Sequence, residues 1–234
     1  GNYSDAADVF REIGAVRRAL TALSNLSQVA ATAGEEETAT DACEDALELI
    51  EASDLDGLDD RAREFRVRAA RLDETPQGTL ELYSLALGHV LENEAGTSAR
   101  LLRETWERRD IHDEDTPAFT VTLAAGVGFA AHLKLIDSVR DEVEGEEELP
   151  DADEVAAEVD DVLGEIDSTE QSLSVPATSL YRALTDSVVT TTAADLRERA
   201  EEIDPDDGTS QLALFEHRAY ARLLEPLSEE SDDE

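Results

Sequence analysis

Apolar residues recur along this chain at steps of three and four, while strict apolar–polar alternation is nearly absent, so the pattern predicts helices almost end to end. Val9, Ile13, Val16, Leu20, Leu23 and Leu26 form one such series. It predicts a long first helix with Ser4 as N-cap, interrupted at Gly34. A second helix runs to about Ala52 with Ala39, Ala46, Leu47 and Ile50, and Ser53 to Gly57 reads as a loop. Leu58 to Leu72 is a third helix, closed by Asp73 to Gly78, and two more, near 79–92 and 97–109, flank Asn93 to Gly96. Thr116-Pro117 is a start signal for a helix reaching about Val143, because Thr caps and Pro suits the first turn. Gly126 and Gly128 weaken that helix, and Phe119 to Leu123 also passes for a short strand.

Ala152, Val155, Val159, Val162 and Ile166 then place one apolar stripe on an otherwise acidic helix. Helices near 176–191, 193–203 and 210–225 follow. The predicted fold is all-α, about nine to ten helices packed as antiparallel hairpins or an irregular helical bundle. Composition marks Glu144 to Pro150 as a boundary, giving an N-terminal lobe over 1–143, C-terminal hairpins over 151–227 and a disordered acidic tail over 228–234. A single domain overall is the alternative.

Charge changes the picture of the solvent more than that of the fold. Fifty-eight acidic residues face nineteen basic ones, for a formal net charge of −39, and Lys134 is the single lysine. A disordered acidic chain lacks apolar residues, but here hydrophobic types make up 41%, so the acid coats a folded body. This composition resembles that of proteins from extremely halophilic archaea. At about 1 M salt the Debye length is about 3 Å, and scattered like charges hardly repel. Nucleic-acid binding is disfavoured, since phosphate contacts need basic surface and weaken with salt. The most apolar stretch, Val121 to Leu135, is interrupted by Thr122, His132 and Lys134, and neither a membrane span nor a leader is expected. A cytoplasmic location is therefore the expectation. The lone Cys43 excludes an intramolecular disulfide and reads as a small core residue.

One hairpin stands out from the rest. Residues 22–49 place Ala22, Leu23 and Leu26 on a first helix, Gly34 at a turn, and Ala39, Ala46, Leu47 and Leu49 on a second. Small residues at Ala39 and Ala46 let two antiparallel helices approach closely. The segment resembles a tetratricopeptide (TPR) unit, departing from that family at Ser27, Ala30 and Cys43, and residues 177–205 give a weaker echo through Leu180, Ala193, Ala200 and Pro205. The resemblance implies a concave surface that grips a peptide or protein segment, with Thr21, Ser24, Gln28 and Thr32 facing the groove. The bland alternative is a generic hairpin with a solvated polar face.

Arginines interrupt the acid coat at Arg61, Arg63, Arg66, Arg68 and Arg71, and at Arg100, Arg103, Arg108 and Arg109. As a binding face, Arg61, Arg66 and Arg103 would hold an anion or carboxylate, and Trp106 would add a hot spot for a partner. As internal support, Asp59–Arg63, Glu64–Arg68 and Glu104–Arg108 are i,i+4 pairs with the acid first.

No catalytic residues, metal ligands or cofactor motif emerge. The four histidines are far apart in sequence, and no P-loop, dinucleotide fingerprint or nucleophile elbow occurs. His132 reads as a core residue, and the run Asp110 to Asp115 as ordinary acidic surface rather than a cation site. The functional expectation is a non-enzymatic interaction or scaffold module with a protein or peptide partner. A second copy of the chain, docking through the long first helix, is an additional candidate. The alternatives are a maturation chaperone resembling the TorD family, faintly echoed by Ser179 to Leu184, and a helical ligand-binding sensor or enzyme.

Overall fold

The computed structural model describes residues 2–114, 116–137, 150–165, 173–185, 190–204 and 211–230. Eleven α-helices and one 3-10 turn occur among them, with no strand, so the fold is all-α. The chain divides into two compact units, Gly1–Gly78 and Thr79–Glu234.

In the first unit, α1 (Asn2–Glu12), α2 (Val16–Ala33), α3 (Glu36–Glu51) and α4 (Asp59–Leu72) each pack on the next. The long first helix predicted from Ser4 is two helices, and Ser4 lies inside α1 rather than capping it. Gly14, at φ 69°, occupies the left-handed region, and the Ala15 N–H reaches back to the Phe10 carbonyl at 2.8 Å, which closes the helix. Gly34 ends α2 the same way, at φ 74° with the Glu35 N–H on the Ala30 carbonyl at 2.9 Å. Leu20, Leu23, Ala42, Cys43, Ala46 and Phe65 form the core, while Val9 and Ile13, counted in the apolar series, are exposed.

In the second unit, α5 (Pro76–Leu91) enters, followed by α6 (Ala95–Glu107) and a 3-10 turn at Arg108–Ile111. Pro76 to Gly78, expected in a loop, already belong to α5, with Pro at the first position. The helix α7 (Pro117–Asp137) is continuous, and Phe119 to Leu123 are helical, with the Thr116 hydroxyl accepting from the Phe119 N–H at 3.3 Å. It packs against α6, α8 (Ala152–Glu165), α9 (Val175–Leu184) and α11 (Gln211–Glu230), and α10 (Ala193–Glu202) packs on α11. Residues 117–135 are apolar and long enough to cross a membrane, yet 78% of that stretch is buried in the protein, as befits a core helix.

The glycines of α7 are close-approach positions. A Cβ on Gly126 would lie 2.8 Å from Trp106 Cε3 and 2.9 Å from Val159 Cγ2, so a side chain there would push α7 away from α6 and α8. The expected boundary at 144–150 lies outside the described residues except for Pro150. The helices before and after it, α7 and α8, pack on each other. Ile166 and Pro205 also lie outside. Helix α9 ends at Leu184 rather than near 191, and α11 continues to Glu230, into the segment expected to be a tail.

Candidate functional site

On α2, the periodicity that buries Leu20, Leu23 and Ala30 turns Thr21, Gln28 and Thr32 outward. Both threonine hydroxyls fold back on the helix, donating to the Arg17 carbonyl at 2.9 Å and the Gln28 carbonyl at 2.8 Å. Ser24 is half-buried and engaged with α4. The Arg68 guanidinium donates to its carbonyl at 3.1 Å, to its hydroxyl at 3.2 Å and to Ser27 Oγ at 2.6 Å. Arg68 thus braces α4 on α2 instead of pairing with Glu64, which takes Arg61 at 3.2 Å. Arg66 is exposed and has no partner among the described residues. Cys43 is fully buried, and burial pushes its thiol pKa up, as suits a core residue.

Arg103 and Trp106 belong to α6 of the second unit. Trp106 is buried rather than presented as a surface anchor. Its Nε1 donates to Glu158 at 3.3 Å, and the Arg109 guanidinium stacks 4.0 Å from its ring centroid. Arg109 also lies 3.9 Å from Glu158, and Arg103 pairs with Glu107 at 2.9 Å. Together with Phe129 and Val155 these residues line a cleft of about 270 Å³, in which each cation already faces a carboxylate.

A buried polar network lies deeper in the second unit. Glu216 on α11 accepts from the Tyr83 hydroxyl and from Ser174 Oγ, both at 2.8 Å. Tyr83 also has the Tyr220 oxygen at 3.0 Å, and Tyr220 donates its own hydrogen to the Ala124 carbonyl of α7. Burial raises the Glu216 pKa against those two donors, and burial first, the Glu216 charge second, push both tyrosines well above their usual range. The sequence signal was there. Positions 216, 220, 223 and 227 step by four, three and four, so Glu216 stands in a core register.

The histidines divide by environment. His132 is a satisfied core residue, its Nδ1 donating to the Gly128 carbonyl at 3.1 Å and its Nε2 accepting from Ser98 at 2.7 Å. Burial lowers its pKa, so the neutral ring holds that tautomer. His112 bonds Thr79 at 2.7 Å, and burial and Arg108 lower its pKa. Among the described residues the run from Asp110 gathers no set of converging ligands. His89, on α5, does lie with Glu92 and Glu94, a group the sequence reading passed over. The available signal was a histidine in a helix's last turn followed by two glutamates across an asparagine.

Comparison of the chain with protein-family models, curated proteins and solved structures found no match.

Proposed function

We propose that the protein is a non-enzymatic interaction module of a salt-rich cytoplasm, binding a peptide or protein segment on the α2 face of its first unit. The observation that supports this reading most is the open polar ridge of Thr21, Gln28 and Thr32 on a helix whose other side is fully committed to packing. Consecutive packing of α1 to α4, with Ala39 and Ala46 fully buried, suits the hairpin geometry that the TPR resemblance implies. Small hydroxyl and amide groups offer hydrogen bonds, which high salt screens far less than exposed charge pairs. A second copy of the chain is also a candidate partner, through the exposed Tyr3, Val9 and Ile13 of the α1 segment.

The test is affinity capture in multimolar KCl from the native lysate. A stoichiometric protein retained by the wild type and by Asp161→Asn, but lost on Gln28→Arg with Thr32→Arg, is the expected result. Equal retention by the α2 variant would overturn the assignment of the face.

A further inference from the structure

The C-terminal turn of α5 is built to bring three metal-ligand side chains together. Asn93, at φ 63°, takes the left-handed position that glycine fills in α1 and α2. The Asn93 N–H bonds the Val90 carbonyl at 3.2 Å, and the Glu94 N–H bonds the His89 carbonyl at 3.0 Å. This reversal folds Glu94 back over His89. One ligand atom from each of His89, Glu92 and Glu94 then lies within 4.8 Å of the other two, and His89 Nδ1 and Glu94 Oε2 are 2.5 Å apart. His89 is only 6% exposed, so the fold fixes its imidazole, whereas both glutamates are open to solvent.

We propose that His89, Glu92 and Glu94 bind one divalent transition-metal cation of the zinc or manganese class. An imidazole with two carboxylates suits such ions, while magnesium and calcium prefer oxygen alone. The negative end of the α5 dipole faces the same turn and favours a cation. Arg222 of α11 also reaches this helix end, donating to the Leu91 carbonyl at 2.6 Å. Three protein ligands leave at least one position for water or an outside ligand. The nitrogen donor separates this site from the rest of the acid coat. Diffuse charge collects any cation and is screened by salt, but a bond to imidazole survives both KCl and competing magnesium.

The experiment uses the full chain in multimolar KCl with excess magnesium, titrated with zinc by calorimetry, and with copper(II) as a paramagnetic probe. Saturable uptake of one zinc per chain is expected, with imidazole nitrogen coupling in the copper spectrum. Glu92→Gln and Glu94→Gln, at exposed positions, should keep the helical circular dichroism and lose saturable binding. His89→Gln should remove the nitrogen coupling. Absence of saturable zinc over magnesium, an oxygen-only copper spectrum, or uptake unchanged in both glutamate variants would overturn the site.

Discussion

Among the described carboxylates, Glu216 is the one that is buried. Its carboxyl is deep in the second unit, and two donated hydrogen bonds do not offset the loss of water, so its folded pKa lies above the ordinary glutamate value. A carboxyl with a raised folded pKa contributes its stability below the unfolded pKa and loses it as pH rises toward the folded one. Glu216→Gln keeps an oxygen for Tyr83 and Ser174 and cannot ionise. Its stability relative to the wild type should therefore increase from about pH 4.5 toward neutrality. Urea denaturation of both proteins across that range, at fixed KCl, checks it, and a difference independent of pH would contradict it. The partners in this network are not legible locally. Tyr83 and Glu216 are 133 residues apart, and only the core register of position 216 hints that the charge is buried.

Helices were legible because their apolar faces repeat, and a few boundaries follow from caps that can be read directly, whereas α2, α3, α4 and α6 start without a side-chain cap. Thr116-Pro117 opens α7 as its residues predict, and Gly34 closes α2. The split of the first helix was hidden because the three-four spacing from Val9 through Ile13 to Val16 runs across it. Termination there depends on the backbone at Gly14, which the side-chain pattern does not report. Gly126 misled in the opposite sense, since a glycine that lowers helix propensity is required by the neighbours of that helix. Gly126→Ala should cost about 1–3 kcal/mol through contact with Trp106 and Val159. Gly164→Ala, on α8 with nothing near its Cβ, should be neutral or stabilising by up to about 1 kcal/mol. Chemical denaturation of the pair separates the two effects, because propensity alone would make both substitutions favourable. The candidate surface was only partly readable. Periodicity placed Thr21, Gln28 and Thr32 outward, but Ser24 is held by Arg68 from another helix, and Trp106 turned inward to meet Glu158.

For the whole molecule, a net charge of −39 is an opposing term in folding that solvent must screen. The helical signal should therefore be cooperative and stable in about 2 M KCl and loosen in dilute buffer, where the Debye length is several times longer. Circular dichroism during desalting measures this, and an unchanged melting transition would argue against salt adaptation. The same screening makes a short-range, hydrogen-bonding surface suited to the proposed recognition. The most direct measurement is site-specific photo-crosslinking in native lysate at high KCl, with the probe at position 28 on α2 and, for comparison, at position 161 on α8. One adduct of defined mass is expected from position 28 and none from position 161. No adduct from position 28, or the same adducts from both, would contradict it.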